Sequence, residues 1–280
     1  MFHMAEDSHH FSSTQESNML PLYEAKLMHL YDHRWATFEG GNGSRDVRAE
    51  EKRNSDFSIY PRYWVSIDEV STRFKAQGWN RQWVMGWRDI TNATNERTVI
   101  FSVLPFSAVG HTIPTFYSNA SSALLPCLVG NFSALVLDYC ARNKIGGTHL
   151  TYSCLKQLPF LSPSGYNATA TAFIHPRVLE LTYTSHELTP WAQDLGYDGP
   201  PFSFDPERRV LLRAELDAYY AHLYGLTRDE LRYILDPADL MGPDYPSETF
   251  RVLKNNEMKQ FGEYRTQRLV LEAWDRMFGG

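Results

Sequence analysis

The spacing of apolar residues changes period along the chain, and the change predicts strands in the middle and helices afterwards. Short apolar runs at Tyr63 to Ile67, Gln82 to Trp87, Thr98 to Leu104 and Thr112 to Tyr117 read as strands rich in Trp and Tyr. From Ser118 the period becomes helical: Leu124, Leu125 and Leu128 make one apolar turn before Gly130. Asn131 is then a candidate N-cap for a helix that turns Phe132, Leu135, Val136 and Tyr139 to a core. Arg142 and Lys144 fall in its last turn, where cations complement the helix dipole, and Gly146 and Gly147 end it. THLTYS alternates like a strand, LKQLPFLSP leads out through prolines, and SPSGYNATAT reads as a linker.

Before the strands, Pro21 to Phe38 places Leu22, Ala25, Leu27, Met28, Tyr31 and Trp35 at mixed three- and four-residue spacings, which predicts a short amphipathic helix or two turns. Gly40 to Ser58 mixes glycines with alternating charges and predicts a loop. The back of the chain is plainly helical. Asp205 caps, Pro206 takes the first helical position, and Leu212, Leu216, Tyr219, Tyr220 and Leu223 form a stripe up to Gly225. Thr227 to Glu230 is a capping box for a second helix carrying Leu231, Ile234 and Leu235 and ended by Pro237. A third runs from Glu263 to Met277 with Leu269, Val270, Ala273 and Trp274 apolar. The expected fold class is α+β: a small twisted mixed sheet with helices over residues 1–163, then a helical C-terminal region over 164–280.

Composition adds two constraints. With 280 residues, 43% of them hydrophobic and 21% charged, the chain suits one large or two ordinary soluble globular domains. The net charge of -6 is unevenly placed: residues 1–160 hold 15 basic and 15 acidic side chains, residues 161–280 hold 12 and 18. Phosphate contacts are therefore expected from the neutral front part. Cys127, Cys140 and Cys154 share no metal-ligand spacing and read as reduced core fillers. The N-terminus lacks an apolar signal core, and the most apolar window, residues 123–141, is interrupted by Pro126, Gly130, Asn131 and Asp138. The expectation is a cytoplasmic protein with no membrane association.

Candidate chemistry is sparse. His9-His10 lacks further ligands for a metal. His29, Asp32, His33 and Arg34 could form an acid/base or metal cluster, but a polar face with aromatic packing is favoured because nothing completes the set. Gly40, Gly41 and Gly43 are followed by no Lys-Ser/Thr and so form no phosphate loop. Gly199-Pro200-Pro201-Phe202 lacks the Asn or Asp oxygen that an amino-methyltransferase sets against its flipped base. Pro243-Asp244 with Glu257-Met258-Lys259 matches the letters of a nuclease pattern, yet that chemistry needs Glu and Lys on one face of a strand, and the segment is a poor strand. Trp87 to Ile100, WRDITNATNERTVI, is a dense run of hydrogen-bonding side chains that suits base reading, phosphate binding or a solvated turn equally well.

Several blocks in a fixed order carry a resemblance: Leu20 to Gly40, Trp87 to Pro105, LVGNFSALVLDYCARNKIGGTHLTYSCLKQLPFLSP, PRVLELTYTSHELTPWAQDLGYDGPPF and FGEYRTQRLVLEAWD. Together they resemble the C-terminal part of Eco-type and TaqI-like type IIG restriction-modification adenine-specific DNA methyltransferases, including those of the DISARM and BREX phage-defence systems. The likeness covers nearly the whole chain. It implies a target recognition domain plus helical tail, without the methyltransferase motifs, as a gene fragment, separate subunit or cut piece entered part-way from a methyltransferase domain. The implied partners are double-stranded DNA and a methyltransferase domain or subunit in cis or in trans. No cofactor or metal is expected in this chain, whereas the parent family uses S-adenosylmethionine, with Mg²⁺ a further candidate.

No catalytic residue is therefore expected, and the DNA-binding candidates are Arg34, Arg45, Arg88, Asn92, Asn95, Arg97, Arg142, Lys144 and Lys156. Loops Arg88 to Arg97 and Gly40 to Ser58 would enter the major groove, and Arg34, Arg142, Lys144 and Lys156 would hold phosphates. The rival expectations are a nuclease or methyltransferase active in its own right, and a structural bridging subunit of a defence complex.

Overall fold

The structure is a computed structural model that describes residues 1–39, 43–246 and 249–279. Strand β1 (Met19–Tyr23) is central to a mixed three-stranded sheet, antiparallel to β4 (Trp64–Ser66) and parallel to β7 (Ala108–Val109). This corrects the amphipathic helix expected from Pro21, while the alternative of turns holds from Ala25 onward: Pro21 disfavours the helical region for Leu20 before it, and two-sided pairing buries Leu22 and Tyr23 completely. A 3-10 turn at Ala25–Leu27 follows. β2 (Ala36–Thr37) pairs with β3 (Arg45–Asp46), and α1 (Ala49–Arg53) opens with Glu51 accepting from the Arg48 amide at 2.8 Å. The expected loop 40–58 thus holds a strand and a helix; Gly40 and Gly41 lie outside the described residues.

Helix α2 (Ile67–Ala76), for which no expectation was drawn, starts where the Ser66 hydroxyl accepts from the Asp68 amide and buries Val70 and Phe74, one turn apart. β5 (Trp83–Trp87) lies between β6 (Phe101–Pro105) and β8 (Thr115–Phe116) in an antiparallel sheet, as their apolar runs suggest. The strands are thus shared among separate small sheets. All of β5 is buried, and a Cβ on Gly86 would meet the Pro114 carbonyl oxygen at 2.8 Å, so only glycine admits that approach.

The helical part begins with α3 (Leu125–Ser133), which runs straight through Gly130, and α4 (Leu135–Lys144). Asn131 is therefore no N-cap. It is buried inside α3, donating to the Tyr224 hydroxyl at 2.8 Å and accepting from the Leu161 amide at 3.0 Å. Ala134, extended, precedes α4, and the helix ends on an extended Ile145 before the glycine pair. The strand expected at THLTYS reduces to one bridge, Ile90 with His149, followed by α5 (Tyr152–Leu155) capped by Thr151. The expected linker contributes its last four residues to α6 (Ala168–Thr182), and α7 (Thr189–Asp194) follows.

The later helices obey their sequence signals closely. α8 (Pro206–Leu223) stops before Gly225, whose φ is 75°. α9 (Arg228–Leu235) carries the capping box with both Thr227 and Glu230 engaged, and α10 (Pro237–Met241) starts at the proline. α11 (Arg251–Phe261) and α12 (Arg265–Phe278) complete the described chain. The class is mixed α and β with a helical C-terminal region.

Two compact units emerge, and they interleave along the chain rather than dividing near residue 163. The first comprises Met1–Asp89, Ile100–Leu125 and Val178–Asp205; the second comprises Ile90–Val99, Pro126–Arg177 and Pro206–Gly280. The first unit is built on aromatic packing, with Trp83 edge-on to Trp191 at 4.8 Å and to Trp79 at 5.1 Å. In the second, α4, α8, α9 and α12 share one apolar core that includes Leu135, Ala218, Leu231, Val270 and Trp274. The three cysteines are free, and Cys127 is a buried core filler.

Candidate nucleic-acid interface

The nine candidate residues fall into both units. Arg34, Arg45 and Arg88 belong to the first; Asn92, Asn95, Arg97, Arg142, Lys144 and Lys156 belong to the second. In the first unit Arg34 is 0% exposed, which corrects its assignment as a phosphate contact. Its guanidinium instead donates to the carbonyls of Asn54 (2.9 Å), Phe57 (3.0 Å), Lys52 (2.8 Å) and Thr184 (2.8 Å), tying the 52–57 stretch of backbone to Thr184. Asp32 beside it accepts from the Arg34 amide and from a buried Lys52 ammonium at 2.5 Å. His33 is buried too, its Nε2 3.4 Å from Glu187. The expected polar helix face is thus an interior polar cluster.

Arg88 is also turned inward. Its Nε donates to the Met28 carbonyl at 3.0 Å, and burial pulls its pKa down to about 10 against the pull of Asp46. Arg45 stays at the surface, gripped by Glu39 and Glu51 at 2.6 Å each. Those hydrogen bonds hold the Glu51 carboxyl down to about 2.

In the second unit the polar run seen in the sequence forms a loop over residues 90–99, and its centre is Asp138 on α4, 0% exposed. The Asp138 carboxylate accepts from the amides of Thr98 (3.0 Å) and Val99 (3.1 Å), from Arg97 Nε (2.9 Å) and from Arg142 Nε (2.7 Å). Arg142, one turn further along α4, sends its other nitrogens to the carbonyls of Ala93 (3.0 Å), Asn95 (2.7 Å), Glu96 (2.5 Å) and Thr249 (2.7 Å). Its guanidinium lies over the Phe250 ring, 4.4 Å from the centroid. Arg142 is only 8% exposed, so its assignment to phosphate is corrected as well. Arg97 is spent on Asp138 and the Ser133 carbonyl. A buried carboxylate shared by two guanidiniums and two amides satisfies its lone pairs, the condition under which an interior ion pair is tolerated.

At the tip this frame leaves two uncharged side chains exposed, beside the half-buried Glu96 carboxylate, which accepts from Asn256. Asn92 Oδ1 accepts from the Thr94 amide at 2.8 Å, closing a turn, and Thr94 and Asn95 stand exposed at its tip. The Thr91 amide donates to the Thr148 carbonyl at 3.0 Å and Ile90 bridges His149, so the glycine-pair segment lies alongside the loop. Lys144 sits at the end of α4, exposed and without an ion-pair partner among the described residues; Lys156, equally exposed and unpaired, follows α5. The sequence reading missed Asp138. Its i, i+4 spacing to Arg142, within the apolar turns of residues 135–141, was the available signal.

The rival chemistry meets different geometry. Glu257 and Lys259 lie on helix α11, about 200° apart around its axis at 3.6 residues per turn, so they share no face. Glu257 accepts from the Thr266 amide (2.7 Å) and hydroxyl (2.6 Å), holding the start of α12. Among the described residues no group of three or more His, Cys, Asp and Glu side chains is placed to hold a metal, and no helix is long and apolar enough to cross a membrane. No protein family, curated protein or solved structure matches the chain.

Proposed function

We propose that this chain is a non-catalytic DNA target recognition module, working with an adenine methyltransferase domain or subunit that carries the cofactor chemistry. The observation that supports it is the loop 90–99. Its backbone is fastened from inside by Asp138 and Arg142 while Thr94 and Asn95 project outward, and the glycine-pair segment that follows Lys144 pairs with the start of the loop. A rigid polar tip suits base-edge hydrogen bonding, because readout requires donors and acceptors held in fixed positions. Lys144 and Lys156 are the phosphate contacts in this reading, and Arg45 contributes only by releasing Glu39 or Glu51.

Binding of the purified chain to duplex DNA, followed against salt, tests the proposal. Replacing both Lys144 and Lys156 by Gln is expected to weaken binding to all sequences alike. It is also expected to reduce the slope of log K against log salt by about 1.8, at about 0.9 per lost phosphate contact. No binding at low salt up to roughly micromolar chain overturns the reading in favour of a bridging subunit. Turnover of DNA with Mg²⁺, or of S-adenosylmethionine, overturns its non-catalytic part.

A further inference from the structure

The loop that the proposed function puts against DNA contains an unusual division of labour. Arg97 on the loop and Arg142 underneath it would ordinarily offer guanidiniums to the duplex, yet both donate to the protein's own acceptors. Arg142 alone reaches four carbonyls on two separate segments, and Asp138 fixes the two amides at the loop's exit. Glu96 is held in addition by the side chain of Asn256 on α11. Free carbonyls of a short polar loop would otherwise be satisfied by water in many conformations. Here one acidic and one basic side chain, a helical turn apart, select a single conformation.

We infer that Asp138 and Arg142 are positioning residues for sequence readout: they set the shape of the 91–97 tip, so that Thr94 and Asn95 read base edges, without touching DNA themselves. The inference rests on the DNA recognition reading and extends it by separating specificity from affinity. Phosphate binding through Lys144 and Lys156 does not depend on the shape of the loop tip, whereas base readout does. Loosening the frame therefore costs selectivity and leaves sequence-independent binding in place. A merely structural pair would lower both together.

The test uses the full chain and two variants, Asp138→Asn and Arg142→Lys. The first keeps the size of the side chain but replaces one acceptor by a donor facing two guanidiniums. The second retains charge and the Asp138 contacts to the Thr98 and Val99 amides while losing the planar fork. Each protein is used to select from a randomised duplex library, its affinity for a random-sequence duplex is measured, and amide hydrogen exchange is followed at Thr98 and Val99. Wild type is expected to enrich a motif. Both variants are expected to lose at least about tenfold of that enrichment, the scale of one misread base pair, while random-duplex affinity changes less than about twofold. Asp138→Asn is expected to speed exchange at Thr98 and Val99 by about tenfold or more.

Unchanged exchange in Asp138→Asn refutes the clamp. Faster exchange with the motif retained refutes the positioning role and leaves DNA recognition standing. A wild-type chain that enriches nothing removes the recognition reading and this inference with it. If Asp138→Asn does not fold, enrichment by Arg142→Lys decides: a retained motif overturns the inference, and a lost motif with random-duplex affinity kept supports it.

Discussion

Replacing Arg34 by Met separates the interior role of this arginine from any role at a DNA surface. The side chain is fully buried and its two terminal nitrogens serve the carbonyls of Lys52, Asn54, Phe57 and Thr184. Met fills comparable volume but donates nothing, so four carbonyls lose this donor and the Asp32–Lys52 pair loses a neighbouring cation. A hydrogen bond to a charged group contributes about 1.5–3 kcal/mol, and such bonds on one side chain do not add. The closest measured analogue, removal of one partner from a buried ion pair, costs about 3–5 kcal/mol, and we expect Arg34→Met to lose about 4 kcal/mol. Arg34→Lys keeps a cation but offers its donors from a single point, and about 2 kcal/mol should be lost.

Urea unfolding followed by tryptophan fluorescence reports on the right place. Six of the seven tryptophans, Trp35, Trp64, Trp79, Trp83, Trp87 and Trp191, lie in the first unit with Arg34. The reasoning is refuted if Arg34→Met loses less than about 1 kcal/mol, the range of an exposed ion pair, while low-salt DNA affinity drops.

Two further expectations concern the second unit. Burial pushes the Asp217 carboxyl up to about 6 from its ordinary 3.8, against the attraction of Arg97. Its contribution to stability is complete below about pH 3.8 and is lost as pH rises through about 6, so at pH 7 the charged form costs about 3 kcal/mol. Asp217→Asn keeps an oxygen for the Leu135 amide, bonded at 2.7 Å, and should flatten the fall in melting temperature between pH 4 and 6 while raising stability at pH 7; calorimetry showing a less stable variant at pH 7 contradicts this. Gly130→Ala would set a methyl 2.7 Å from the Tyr220 hydroxyl, which is itself anchored to the Cys127 carbonyl at 2.6 Å in a fully buried ring. Overpacking should outweigh the gain in helix propensity and cost about 1–3 kcal/mol in chemical denaturation; a neutral or stabilised variant contradicts the rigidity of Tyr220.

Elements with local causes can be read directly from the chain. Pro206 and Gly225 bracket α8, Thr227 and Glu230 start α9, and the apolar runs at Trp83–Trp87 and Phe101–Pro105 form paired strands, because capping, backbone restriction and the strand preference of short apolar runs act over a few residues. The spacing from Pro21 to Phe38 shows the turns after Ala25 but not that Pro21 to Tyr23 end a strand, because a central strand is decided by its neighbours on either side, not by its own spacing. The site shows the same division more sharply. That Trp87 to Ile100 is a polar loop was legible; where its arginines go was not. A guanidinium bound for phosphate and one bound for its own backbone are the same residue in the sequence. Arg34 meets Thr184 across 150 positions and Arg142 meets Thr249 across 107. Only the fold brings those carbonyls within reach, and with them it turns Arg34, Arg88, Arg97 and Arg142 inward and leaves Thr94, Asn95, Lys144 and Lys156 facing out.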